Sequence, residues 1–293
     1  MARSGPIKWH GGKSYQAPWI IGLMPPRCKN PNKPAPDDPG WLHYVEPYFG
    51  GGAVLLAMEP EGISEVVNDL NCELTNFWCA LQEPEAFADF QRRVDAVPFS
   101  KAAWQGSRRP YEPTWDKTGG MASHAVNFFI ACRQSMSGRL KSFAPLTRNR
   151  TRSGMNEQVS AWLNAIEGLP TVHARLRRVV ILNDDALKVI KSQDGPRTLF
   201  YLDPPYVHET RETTGEYACE MSDADHAKLL GVLAEIKGRF LLSGYQSKLY
   251  ADAAKAYGWR CETLKIDNKS SSAKTKEQKT ECVWMNYTEG ANA

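Results

Sequence analysis

The feature that most constrains the fold is a series of short apolar runs, each followed at once by acidic or turn-forming residues. The runs lie at 43–46, 64–68, 179–182, 198–202 and 240–242, and stretches of helical periodicity separate them. Runs this short, rich in β-branched and aromatic residues, predict buried strands of an α/β sheet. Ser222 and Asp225 have the spacing of a capping box, which predicts a helix start before the last of these runs. Residues 259–266 and 281–287 predict a final antiparallel pair.

Composition and cysteine spacing exclude several classes of protein. The 293 residues are 42% hydrophobic and 24% charged, as in ordinary globular chains, and no apolar run is long enough to span a membrane. No apolar stretch follows the first residues, so we expect no signal peptide and a cytoplasmic protein, in a bacterial cell or a phage-infected host. The seven cysteines are widely spaced without a C-x-x-C pair, which predicts reduced thiols and no zinc site.

One region interrupts the alternation of strands and helices. Residues 80–169 have helical patterns, at 125–135 and 159–166, without a buried strand. We therefore predict an inserted, mostly helical subdomain at 80–169, within a discontinuous domain formed by 1–79 and 170–293. A proline-rich stretch at 25–39 is incompatible with a helix or a central strand and predicts a loop.

The inserted region carries an uneven share of the charge. The chain has a formal net charge of +3, yet residues 133–152 hold six basic residues and no acidic one. Such a stripe is typical of a surface that binds a polyanion, although a solvated helix or loop face would have the same composition. The six residues are Arg133, Arg139, Lys141, Arg148, Arg150 and Arg152.

Three glycines at 50–52 follow the first predicted strand and open a predicted helix. Glycines there allow a sharp turn and a close approach to a ligand, and Asp69, at the end of the next strand, can accept hydrogen bonds from ribose hydroxyls. Leu55 stands where a dinucleotide-binding fingerprint needs glycine, which disfavours a dinucleotide oxidoreductase. A phosphate loop at 11–14 is excluded, because Ile7 stands where that motif needs its first glycine.

The sharpest signal is Asp203-Pro204-Pro205-Tyr206, directly after the run at 198–202. The carboxyl ends of parallel strands are where α/β folds bind ligands, and two consecutive prolines stiffen the turn. The Asp203 carboxylate and the Pro204 carbonyl then form a rigid pair of acceptors beside the ring of Tyr206. This arrangement suits a flat substrate with an exocyclic amino group, although a rigid turn without chemical consequence would have the same residues.

Taken in order along the chain, these segments resemble a known family, the Dam-like (D12 class, α-group) DNA adenine N6-methyltransferases. The resemblance rests on 8–13 (KWHGGK), 46–52 (EPYFGGG), 68–71 (NDLN) and 203–206 (DPPY), and it extends to 243–245 and 284–287. It implies a Rossmann-like fold that binds S-adenosylmethionine, with a mixed seven-stranded sheet, helices on both faces and an inserted target-recognition subdomain. The implied cofactor residues are Trp9, Lys13, Glu46, Pro47, Phe49, Gly50, Gly52, Asp69, Asp185 and Asp203. The implied catalytic residues are Asp203, Pro204, Pro205 and Tyr206.

The resemblance also implies the reaction and the partner. A methyl group would pass to the N6 amino group of an adenine flipped out of DNA, expected to be duplex, without a metal ion, and the six basic residues would contact the DNA. Residues 132–139 resemble the start of the family's DNA-contacting segment, but Arg139 and Leu140 replace the residues usual in enzymes that read GATC. The sequence therefore leaves three kinds of target open: GATC, another sequence or a relaxed set. Methylation of cytosine N4 or of RNA, and an inert DNA-binding relative, remain alternatives; the oligomeric state and biological role stay open.

Overall fold

The computed structural model describes residues 5–9, 11–33, 35, 37–108, 120–144, 150–207, 220–267 and 278–288. The strands are β1 (His43–Glu46), β2 (Ser64–Asn68), β3 (Thr151–Arg152), β4 (Met155–Asn156), β5 (Val179–Leu182), β6 (Thr198–Leu202), β7 (Arg239–Tyr245), β8 (Arg260–Asp267) and β9 (Gln278–Met285). The α-helices are α1 (Ala17–Leu23), α2 (Ala53–Ala57), α3 (Cys72–Gln82), α4 (Pro84–Asp95), α5 (Lys101–Gly106), α6 (Gly120–Gln134), α7 (Glu157–Glu167), α8 (Leu169–Leu176), α9 (Ala186–Gln193), α10 (Asp223–Glu235) and α11 (Lys248–Tyr257).

Seven strands form one mixed sheet in the order β5-β2-β1-β6-β7-β9-β8. The pairs β1–β2, β1–β6 and β6–β7 are parallel, whereas β7–β9 and β8–β9 are antiparallel. All five residues of β6 are buried, because a central parallel strand is covered on both faces. The predicted mixed seven-stranded sheet is confirmed.

Local sequence signals set several element boundaries. The capping box at Ser222 and Asp225 opens α10, as predicted. The helix ends at Glu235, and Ile236 lies just beyond it in an extended conformation. The helix predicted from residue 125 begins earlier, at Gly120. Within the described part of the chain, none of the helices has the length and hydropathy needed to cross a membrane.

The chain divides into two compact units. The first contains residues 1–18, 50–60 and 69–183, and the second contains 19–49, 61–68 and 184–293. Aromatic rings of α3, α4 and α6 form much of the core of the first unit, with Phe77 stacked on Phe129 and in edge contact with Phe90. The predicted subdomain boundaries at 80 and 169 stay a prediction.

The second unit places three strand ends at one edge. Because β1, β6 and β7 are parallel neighbours, their carboxyl ends meet there. Glu46 ends β1, Asp203 follows β6, and Tyr245 ends β7. The predicted acidic motif therefore lies where ligand sites of α/β sheets form.

Candidate active site

The motif at 203–206 is anchored in the second unit through its tyrosine. Pro204 and Tyr206 are buried, and Asp203 and Pro205 are partly buried. The Tyr206 hydroxyl donates a hydrogen bond to Glu281 Oε1 at 2.5 Å. The ring of Tyr206 meets the ring of Tyr245 edge-on, with the centroids 4.6 Å apart.

The buried side chain of Tyr201 lies near three carboxylates at the same edge of the sheet. The Tyr201 hydroxyl lies 3.1 Å from Ser243 Oγ. Burial, followed by the charge of Asp203 and the weaker influences of Glu281 and Glu46, raises the pKa of Tyr201 well above its usual value. Tyr201 therefore stays protonated, and either its hydroxyl or that of Ser243 can donate in this hydrogen bond. Glu46 accepts a hydrogen bond from the Tyr44 hydroxyl.

The glycine turn in the first unit needs glycine for two different reasons. Gly50 and Gly52 have φ values of 49° and 67°, in the left-handed region that favours glycine. At Gly51 the reason is close contact, because a Cβ atom there would lie 2.9 Å from Trp9 Cβ. The Gly50 carbonyl accepts a hydrogen bond from Trp78 Nε1 at 3.1 Å, which fixes the turn to α3.

Asp69 joins the glycine turn to the start of α3. Its Oδ2 accepts a hydrogen bond from the Gly50 backbone N–H and its Oδ1 accepts one from Asn71, each at 2.9 Å. Burial raises the pKa of Asp69, and these two N–H groups oppose that shift. A carboxylate offers about four acceptor positions, so two hydrogen bonds leave capacity for ribose hydroxyls.

The N-terminal segment contributes a buried cation and an indole to the first unit. Lys13 is 5% exposed, and its Nζ donates to the Gly11 carbonyl at 3.2 Å. The Trp9 ring lies 6.1 Å from the Phe128 ring. Lys8 Nζ donates to Gln158 Oε1 at 3.3 Å, and burial, with a smaller effect of Arg133, lowers the pKa of Lys8 to about 8.

Asn68 is a structural centre of the second unit, a role that the sequence did not predict although Asn68 opens the motif at 68–71. Its Nδ2 donates to the carbonyls of Pro47 and Asp184, each at 3.0 Å. Its Oδ1 accepts from the Asp184 N–H, and its carbonyl accepts from the Phe49 N–H. Through its side chain and its backbone carbonyl, one buried residue thus ties together the loops that hold Pro47, Phe49 and Asp185. The sequence signal that could have indicated this role is a polar residue at the end of an apolar run.

Asp185, the residue expected to contact the cofactor's adenine, caps a helix. Its side chain is exposed, and Oδ1 accepts a hydrogen bond from the Lys188 N–H at 3.1 Å, at the start of α9. Burial, and then the charges of Asp185 and Asp225, raise the pKa of Tyr48 above its usual value. The Asp185 carboxylate thus caps α9 and is at the same time exposed to solvent.

The basic stripe separates into buried and exposed members. Arg133 is partly buried, donates to the Ala161 carbonyl at 2.6 Å, and has a pKa lowered by burial to about 10. Arg139 is partly buried, whereas Lys141, Arg150 and Arg152 are exposed. Arg148 lies outside the described residues.

A short hairpin, β3–β4, carries the end of the stripe and was not predicted. Its turn residues, Ser153 and Gly154, have φ values of 52° and 72°. Two positive φ values in a two-residue turn are those of a type I′ hairpin, which keeps the strands paired. The dipeptide Ser153-Gly154 was the signal that could have indicated it. Both Arg152 and Met155, which pair across the hairpin, are exposed.

The described cysteines are free, and Cys219 lies outside the described residues. Among the residues that the structure describes, no group of three or more His, Cys, Asp or Glu side chains is arranged to hold a metal ion.

A mixed seven-stranded sheet with helices, and an acidic motif at the carboxyl end of its buried central strand, define an α/β fold of the Rossmann-like type. A family model described as D12 class N6 adenine-specific DNA methyltransferase matches residues 9–268, so the chain belongs to this family. It is also 25% identical to the Type II methyltransferase M1.LlaDCHI of Lactococcus lactis subsp. cremoris, over 96% of this chain and 94% of that protein. The predicted family and the predicted enzyme class, DNA adenine N6 methylation, are confirmed.

Proposed function

We propose that the chain transfers a methyl group from S-adenosylmethionine to N6 of an adenine flipped out of duplex DNA, with Asp203, Pro204 and Tyr206 at the reacting nitrogen. The observation that carries this proposal is the position of 203–206 at the carboxyl end of the buried central strand β6. The carboxyl ends of its parallel neighbours lie on the same edge.

The role of Asp203 follows from the chemistry of the amino group. The N6 lone pair is delocalised into the adenine ring, which makes N6 a poor nucleophile. Hydrogen bonds from N6 to the Asp203 carboxylate and the Pro204 carbonyl favour a pyramidal nitrogen whose lone pair is available. The stiff turn at Pro204 and Pro205 holds the acceptors in place, so that orientation supplies much of the rate acceleration.

The residues of the first unit fit the proposed cofactor. Asp69 retains acceptor capacity for ribose hydroxyls, and the glycine turn has no side chain between its backbone and Trp9. When bound, S-adenosylmethionine supplies a methyl group on a sulfonium that is already activated. The further residues that we assign to it are Trp9, Lys13, Glu46, Pro47, Phe49, Gly50, Gly52, Asp185 and Asp203.

Reaching N6 requires the target base to leave the duplex. Extrusion costs a few kcal/mol of unstacking and unpairing. Stacking of the base on Tyr206 returns about 1–3 kcal/mol. We assign this platform to Tyr206 because its ring is held by Tyr245 and its hydroxyl by Glu281.

The exposed basic residues are proposed to bind DNA phosphates. Lys141, Arg150 and Arg152 are exposed and can approach a backbone. Arg133 donates to a helix carbonyl, so we assign it to holding α6 against α7 near the DNA surface. We propose that Arg139 and Arg148 also contact DNA, and that residues 80–169 form the target-recognition subdomain.

Incubation of unmodified DNA with the protein and S-adenosylmethionine, followed by mapping of N6-methyladenine, tests the proposal. We expect N6-methyladenine in duplex DNA, and one enriched motif would identify the target sequence. Methylation confined to cytosine or to RNA would contradict the proposal.

A further inference from the structure

The tyrosine of the 203–206 motif is held from two sides by a pair of residues on neighbouring strands. Tyr245, on β7, and Glu281, on β9, are directly opposite each other in the antiparallel pairing. The rings of Tyr245 and Tyr206 form a T-shaped pair, and Glu281 accepts a hydrogen bond from the Tyr206 hydroxyl. The strand pairing thus fixes both the tilt of the ring and the position of its hydroxyl.

Glu281 is an unusual residue for its surroundings. It precedes four buried residues of β9, namely Cys282, Val283, Trp284 and Met285, and is itself only 1% exposed. Burying a carboxylate is unfavourable unless hydrogen bonds compensate for the lost hydration. A hydrogen bond from Tyr206 to a charged acceptor is stronger and more restrictive than a bond between neutral groups.

We propose that Glu281 is a positioning residue for methyl transfer, which acts by fixing the ring of Tyr206 in the orientation that the flipped base stacks on. This inference rests on the proposed function of Tyr206. The ring of an unrestrained tyrosine can tilt about its side-chain torsions, and a tilt there displaces the stacked base from the acceptors Asp203 and Pro204. Because in-line transfer tolerates little misplacement, a small tilt lowers the rate of the chemical step more than it lowers binding of the methyl donor.

The test uses four variants, assayed at a temperature at which each is folded. Tyr206→Phe removes the donor, Glu281→Met removes the acceptor at similar length, and the double variant removes both. Glu281→Gln keeps an acceptor without the charge. The matched control is Tyr287→Phe, which removes a hydroxyl that donates to the Leu23 carbonyl in the same unit.

We expect kcat to fall about tenfold in Tyr206→Phe and in Glu281→Met, with KM for the methyl donor unchanged, and to fall about threefold in Glu281→Gln. The double variant should be as slow as the slower single variant, with no recovery of kcat and no further loss, because both changes abolish one interaction. Its melting temperature should recover, since two apolar partners leave no buried polar group unsatisfied. Tyr287→Phe should methylate at the normal rate.

Three results would overturn the inference: normal kcat in Glu281→Met, recovery of kcat together with the melting temperature in the double variant, or a double-variant loss equal to the product of the single losses. The second result would mean that the pair only stabilises the fold. An inactive unaltered protein would instead refute the proposed function, so the two failures are distinguishable.

Discussion

The backbone N–H of Gly50 donates a hydrogen bond to the carboxylate of Asp69, at 2.9 Å, across nineteen positions of the sequence. The residue expected to hold the ribose therefore also fixes the glycine turn. Because Gly50 is in turn tied to Trp78 through its carbonyl, the turn is braced from both sides. Changes in the turn should consequently affect cofactor binding before they affect the rest of the first unit.

A Gly51→Ala substitution should weaken binding of S-adenosylmethionine at least tenfold. The added Cβ would lie 2.9 Å from Trp9 Cβ, so the turn or the indole must shift. Isothermal titration with the cofactor measures this. Gly231→Ala in α10 is the matched control, because a Cβ there meets nothing within 4 Å, and alanine should stabilise the helix by about 0.5–1 kcal/mol. Equal affinity of Gly51→Ala and the unaltered protein would refute the role of the turn.

Asp203→Ala should abolish methyl transfer while the protein stays folded and binds DNA. The substitution removes one of the two acceptors for the N6 amino group but leaves β6 and Tyr206 in place. Transfer of labelled methyl groups to DNA, with DNA affinity measured in parallel, checks both parts. Asp252→Ala, at an exposed position on α11, is the control and should be fully active. Substantial activity in Asp203→Ala would remove the basis of the mechanism.

Substituting Arg150 and Arg152 by alanine should weaken DNA binding by loss of phosphate contacts. Each phosphate contact contributes about one unit to the slope of log affinity against log salt, so the double variant should reduce the slope by about two. Titrations of DNA at several salt concentrations measure it. Arg133→Met should lower the melting temperature and leave the slope unchanged, because Arg133 donates to Ala161. An unchanged slope in the double variant would place the phosphate contacts elsewhere.

Lys8→Met should raise the melting temperature at pH 7, and the gain should diminish as the pH rises. Burial lowers the pKa of Lys8 from 10.5 to about 8, so the folded state disfavours the charged form. Between these two pH values the unfolded chain binds more protons than the folded one, and stability conferred by this group rises with pH. The penalty is complete below pH 8 and disappears towards pH 10.5. Thermal melts of both proteins at pH 7 and pH 9.5 make the comparison, and a gain that grows with pH would contradict it.

Local patterns were sufficient for most of the elements and for the residues nearest the chemistry. Runs such as 198–202 are buried on both faces of the sheet, so their apolar composition is readable without any partner. The capping box at Ser222 is equally local, since its geometry involves residues three positions apart. The glycine turn follows a strand directly and was therefore visible in the sequence, although Trp9, Asp69 and Trp78 hold it from a distance. The elements of the inserted region were harder to predict from the sequence, because each strand of the β3–β4 hairpin has only two residues.

By itself the sequence determined the α/β class, the positions of the seven strands of the main sheet and the acidic motif at 203–206, because these depend on periodicity and turn chemistry within short segments. Only the tertiary structure decided which polar residues are buried and which groups they hold in place through hydrogen bonds. Arg133 and Arg152 look equivalent in the sequence, but α7 covers one and solvent surrounds the other. Glu281 reaches Tyr206 from 75 positions away, because β7 and β9 pair in one register. Burial and long-range hydrogen bonds arise from packing between distant segments, and no local pattern encodes that packing.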